Sequence, residues 1–184
     1  KRRDAQRAPA ETALLRIRAG LQRTLPRWDG PQDIFGFYDY LERRFRPTDL
    51  TRALIQMDPY GAQQGRGWNP PEGFEAQRFP DQMLLVLLDE MNLARVEYYF
   101  SEFLSRLETR RGIDPNDQNK RVRAEISLDI GGRRAGQLPM QLFVDRNVLF
   151  VGTMNEDETT QALSDKVIDR ANVLRFGSPA SIEP

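Results

Sequence analysis

Leu84-Leu85-Val86-Leu87-Leu88-Asp89-Glu90-Met91-Asn92 decides how this chain is read. Six apolar residues, Met83 to Leu88, end in two adjacent carboxylates. An unbroken apolar run of this length predicts a strand buried on both faces, as in a parallel sheet. In parallel α/β sheets ligands sit at the carboxyl ends of the strands. Two acids at such a place are costly unless a cation or hydrogen-bond donors meet them.

A second run has the same form. Val148-Leu149-Phe150-Val151-Gly152 predicts another buried strand, and Thr153-Met154-Asn155 follows it. If the two strands are parallel neighbours, Asp89, Glu90 and Asn155 share one sheet edge. An Asp there can hold Mg²⁺, usually through water, because Mg²⁺ dehydrates reluctantly. The neighbouring Glu can orient or deprotonate an attacking water. Asn carries a donor and an acceptor, and so can hold that water against a phosphate. The structural alternative is that the three are strand-end caps and turn formers.

Outward from these strands, Val96, Tyr99, Phe100, Phe103 and Leu107 form the stripe of an amphipathic helix. Residues 109–120 read as a polar loop. Ala124, Ile126, Leu128 and Ile130 alternate with polar residues up to Gly131-Gly132, and Met140, Leu142 and Val144 alternate likewise. Residues 122–145 therefore predict a β-hairpin. A polar helix fits 159–170, and Val173–Phe176 reads as a short final strand.

On the amino-terminal side, residues 1–9 are basic and lack periodicity. Leu14, Ile17, Leu21 and Leu25 keep helical spacing, which predicts a helix from about Pro9. Gly20 can end it early and leave Leu21–Leu25 as a short strand. Trp28-Asp29-Gly30-Pro31 marks a turn. Residues 34–46 mix aromatics with charge, and Pro47-Thr48-Asp49 predicts a helix start with Leu50, Leu54 and Ile55 on one face. Residues 58–82 hold four Gly and four Pro and read as a long loop.

Composition narrows the chemistry. The 184 residues suffice for one domain with a real core. There is no Cys and no His, which removes disulfides and most zinc sites. No apolar run approaches a membrane span, and a cytoplasmic setting is the compatible expectation. Twenty-seven basic and 27 acidic residues balance, so no global field drives nucleic-acid binding. Arg43, Arg44 and Arg46 beside Tyr40 and Phe45 could meet a phosphate backbone, although Asp39, Glu42 and Asp49 dilute that patch.

LLVLLDEMNLARVEYYFSEFL resembles the Walker B strand and following helix of AAA+ ATPases, in the branch around McrB. NVLFVGTMNEDETTQALSDKVIDRANVLRF resembles the sensor 1 strand and arginine-finger helix of the same branch. WDGPQDIFGFYDYLERRFRPTDLTRAL resembles the stretch between the P-loop helix and Walker B. The resemblance covers about residues 20–177 and implies a partial AAA+ P-loop NTPase core: a mostly parallel sheet flanked by helices, with a β-hairpin insertion. It divides the chain into a post-P-loop region (10–57), a long loop (58–82), the Walker B strand and helix (83–110), the hairpin insertion (121–145) and a sensor 1 to last-strand segment (148–177). Asp89 would be the magnesium residue, Glu90 the catalytic glutamate and Asn155 the sensor 1 residue. Arg170 would be a finger reaching the neighbouring subunit's site; a helix-end arginine favoured by the macrodipole is its bland alternative. Glu158 stands where relatives commonly carry Asp. The implied function is Mg²⁺-dependent hydrolysis of ATP or GTP in a homo-oligomeric ring, with a hexamer as the expected form. A nuclease subunit, and DNA reached through the assembly, are the implied partners in a restriction or defence system.

One half of the machinery is missing. A phosphate-binding loop needs G-x-x-x-x-G-K-[ST]. No Gly here is followed by Lys, and the only lysines are Lys1, Lys120 and Lys166. In AAA+ proteins the strand feeding that loop lies between the sensor 1 strand and the last strand. Without it Val148–Val151 and Val173–Phe176 lose their shared neighbour, and unpaired backbone is costly. The expectation is that the missing part precedes Lys1 in a longer parent and that this chain alone is inactive. Supply by another chain, or by a strand from residues 10–27, is the alternative. A AAA+-like scaffold without hydrolysis is the competing function.

Overall fold

The computed structural model describes residues 17–23, 28–60, 79, 82–128, 140–155 and 160–177. Residues 1–9, the first part of the expected helix from Pro9, Leu25, most of the 58–82 loop, Gly131-Gly132 and Glu158 lie outside the described residues.

Both apolar runs are strands, and they are parallel neighbours. β4 (Met83–Asp89) pairs with β7 (Val148–Gly152) from Leu84↔Val148 to Leu88↔Gly152. On its other edge β4 pairs, also in parallel, with β1 (Ile17–Arg23), so the sheet order is β1-β4-β7. The helix expected through Ile17 is thus a strand with Gly20 inside it, and the short strand expected from Leu21 is present as far as Arg23. The i, i+4 spacing of two apolar residues does not distinguish the two states, and the open edge of β4 decides it.

Between the strands of this sheet lie short helices and two antiparallel ladders. α1 (Gln32–Phe35) leads into β2 (Gly36–Asp39), which pairs with β3 (Arg44–Pro47). Gly36 sits at φ 98°, and a Cβ there would lie 2.0 Å from the Arg46 carbonyl oxygen, so only glycine fits the close pairing. α2 (Asp49–Met57) starts as its sequence predicts, with Thr48 accepting from the Thr51 amide. It buries Leu50, Leu54, Ile55 and Met57.

The stripe after β4 folds as two helices, α3 (Val96–Tyr99) and α4 (Ser101–Thr109). Phe100, at φ −108° and ψ 0°, breaks the run and turns its ring into the core. Phe103 stacks on Phe35 and Phe100 at centroid distances of 4.8 and 4.9 Å and meets Phe150 of β7 edge-on at 5.0 Å. These rings cover the sheet face that carries Leu84, Val86 and Leu88, each fully buried. Burying such a side chain contributes about 1.5–3 kcal/mol.

Burial of the sheet is one-sided, which corrects the expectation for both strands. Along β4 fully and partly buried residues alternate, and Met83 is exposed. In β7 Leu149 and Val151 are 46% and 47% exposed. Among the described residues no strand pairs with the outer edge of β7. Residues 173–176 are not a strand, and Leu174 and Phe176 lie open to solvent. Among the described residues no strand lies beside this segment to complete a ladder.

The expected hairpin is present as a ladder: β5 (Glu125–Leu128) pairs antiparallel with β6 (Met140–Phe143). The polar stretch before it is not all loop, since α5 (Gln118–Arg121) begins on an Asp117 cap. Residues 159–170 yield only α6 (Asp165–Ile168), one turn long. No helix of the described residues is long and apolar enough to cross a membrane.

Candidate functional site at the carboxyl ends of β4 and β7

The register of β4 on β7 places Asp89 beside Thr153, one step beyond Leu88↔Gly152. Thr153 then ties the two strand ends together. Its hydroxyl donates to Asp89 Oδ1 at 2.8 Å and accepts from the Glu90 amide at 2.8 Å. Its own amide donates to Leu88 O at 3.0 Å, and its carbonyl accepts from the Met91 amide at 2.9 Å. Glu90 occupies the left-handed region at φ 52° and ψ 45°. A non-glycine residue there stores strain, which its surroundings must hold.

Beyond Glu90 the chain makes a single tight turn, Met91–Leu93. Two side chains fasten it. The Tyr99 hydroxyl, reaching over from α3, donates to Met91 O at 2.6 Å. The buried Asn92 donates through Nδ2 to Asn155 O at 2.7 Å, and its backbone carbonyl accepts from the Gln161 amide at 2.9 Å. Asn92 Oδ1 is buried with no donor among the described residues. Gly152 makes room for this turn, since a Cβ on it would lie 2.0 Å from Met91 Sδ.

Asp89, Glu90 and Asn155 are therefore brought to one sheet edge, as their strands predict. Asp89 and Glu90 are half-buried, and Asn155 is exposed, with its carbonyl taken by Asn92 and by the Thr160 hydroxyl. Arg170 is not gathered with them. Its Nε lies 2.9 Å from Glu108 Oε2 of α4, and its Nη1 donates to Lys166 O at 2.8 Å. Thr153 and Asn92 were not singled out by sequence reasoning. The signal for Thr153 was present: aligning the ends of the two apolar runs puts it opposite Asp89.

The donor set suits Mg²⁺ in part. Asp89 Oδ1 is occupied by Thr153, and Oδ2 accepts no hydrogen bond among the described residues. Mg²⁺ is commonly held by one or two carboxylates, waters and substrate phosphates rather than by an all-protein cage. The described residues contain no group of three or more His, Cys, Asp or Glu that could cage a metal by itself. The carboxylates at this edge thus fit a cation shared with phosphates, and the sequence holds no G-x-x-x-x-G-K-[ST] loop to cradle those phosphates.

The arginine patch of the β2–β3 hairpin is largely neutralised. Arg46 bonds Asp39 at 3.0 Å and pairs with Glu42, which also pairs with Arg44. Phe45 is buried, whereas Phe37, Tyr40 and Leu41 are exposed. The aromatics of 34–46 thus divide between core and surface.

The fold and site define a mixed α/β protein with a small parallel sheet and a polar cluster at the carboxyl ends of adjacent strands. No family model, curated protein or solved structure matches the chain.

Proposed function

We propose that this chain is the distal half of a AAA+ nucleoside-triphosphatase motor that hydrolyses ATP or GTP with Mg²⁺ in an oligomeric ring. The observation that carries the reading is the joining of the acid pair to the Asn155 strand through Thr153, at the carboxyl end of a parallel pair. The sheet order adds support: β1 takes the far side of β4, so the Asn155 strand is the one beside which a P-loop strand lies in this family.

In this reading Asp89, its Oδ1 kept by Thr153, would help to hold Mg²⁺. The ion, when bound, neutralises charge on the phosphates. Glu90 orients the attacking water and takes its proton. Asn155 presents its side-chain amide to that water and the γ-phosphate. Arg170 reaches the site of the next subunit, where a finger stabilises transition-state charge. A role in DNA restriction or defence, with a nuclease partner, rests on analogy with the McrB-like branch.

The absent G-x-x-x-x-G-K-[ST] favours a second reading, a AAA+-like scaffold without hydrolysis. Titration of Mg²⁺-ATP and Mg²⁺-GTP into the 184-residue chain and into the full product of its gene separates the two. Binding by the full product alone supports the motor. Binding by neither supports the scaffold.

A further inference from the structure

We infer that Thr153 is a positioning residue for the acid pair, a latch that sets the backbone of Glu90 and the carboxylate of Asp89 together; the inference rests on the role proposed for those acids. A threonine hydroxyl has one proton and two lone pairs. Here the proton goes to Asp89 Oδ1, and a lone pair receives the Glu90 amide. One side chain therefore satisfies both consecutive residues of the acid pair from the neighbouring strand.

Each bond has a distinct consequence. The bond to Oδ1 holds the Asp89 carboxylate in one orientation and, among the described residues, leaves Oδ2 without a hydrogen bond. The bond from the Glu90 amide holds the left-handed turn in which Glu90 sits at φ 52°. That turn ends the alternation of β4 and sends the chain into Met91–Leu93 instead of onward as a strand. Without the latch, the strain at Glu90 is relieved by rotation toward the extended region, and the carboxylate leaves its place. The Met91 amide bond to the Thr153 carbonyl holds the same turn but is made by backbone. It survives any substitution at Thr153, so the hydroxyl's share can be isolated.

Thr153→Val keeps the branched shape and removes the hydroxyl, whereas Thr153→Ser keeps the hydroxyl. Two readouts are paired. The first is amide hydrogen exchange at Glu90 in the intact chain without nucleotide, with the β4 amides of Val86 and Leu88 as an internal record of folding. Loss of one such bond predicts about tenfold faster exchange at Glu90 in Thr153→Val, with the β4 amides unchanged and Thr153→Ser close to the unsubstituted chain. The second is turnover by the full gene product. Here Thr153→Val lowers kcat with little change in KM, and Thr153→Ser restores it. Should Thr153→Val unfold, Thr153→Ala serves in its place. Unchanged exchange at Glu90 in the hydroxyl-less variant overturns the latch. Altered exchange in a protein that never turns over nucleotide leaves the latch standing and removes the hydrolase reading instead.

Discussion

Arg121 Nε lies 3.1 Å from Glu125 Oε1, and both side chains are buried at the start of the β5–β6 ladder. The guanidinium also donates to Pro115 O at 2.8 Å and stacks 4.4 Å from the centroid of the Tyr60 ring. Nearby, buried Asp58 accepts from the Phe143 amide of β6 at 3.2 Å and from the Tyr60 amide at 2.8 Å. The end of α2 is thereby tied to the ladder through charge as well as apolar contact. Breaking one side of a buried pair strands the other charge. Arg121→Ala or Glu125→Ala is therefore expected to cost about 3–5 kcal/mol in urea unfolding, and the double replacement Arg121→Met with Glu125→Leu far less. Single replacements that unfold at the original midpoint would remove this pair from the account of stability.

At the β2–β3 turn, Asp39 is held below the usual carboxylate range. The Glu42 amide contributes most, then the Arg46 guanidinium, and burial opposes them only in part. A folded-state value below the unfolded one means stability that is present above the unfolded value and lost as pH falls through the folded value. Acidification should therefore release the Leu41 and Glu42 amides from Asp39 only below the ordinary aspartate range. NMR titration of the Asp39 carboxyl carbon checks this. A midpoint at or above the ordinary value contradicts the bonding pattern.

Arg170 and Glu108 form a surface pair, 37% and 56% exposed at the side chain, so its contribution to folding is small, about 0–1 kcal/mol. A loss of activity on its removal can thus be separated from a loss of fold. Arg170→Ala is expected to leave the thermal midpoint in place and to lower turnover roughly a thousandfold in the assembled state only. Turnover measured across a dilution series decides the matter. An equal loss in dilute monomer contradicts a finger acting between subunits.

Much of the site's scaffold was legible because it is written in local pattern. The runs at 83–88 and 148–151 are strands, they are neighbours, and the polar residues after them meet at one edge. Thr48 caps α2, and 125–128 pairs with 140–143. What was not legible depends on partners distant in sequence. Ile17–Arg23 keeps helical spacing but extends because β4 offers an edge. Residues 173–176 have strand-like composition but no described strand beside them. Glu125 occupies a polar position in an alternating strand and is nevertheless buried, because Arg121 from the preceding turn meets it there. Thr153 reads as an ordinary strand-end threonine until the register sets it against Asp89.

In the proposed function Glu90 performs the chemistry at a site that Asp89 and Asn155 share. The most direct measurement is nucleotide binding and steady-state hydrolysis by Glu90→Gln in the full gene product. The exchange keeps size and polarity and removes the base. Binding at unchanged affinity with turnover abolished is the result this account predicts. Turnover at the rate of the unsubstituted protein would contradict it.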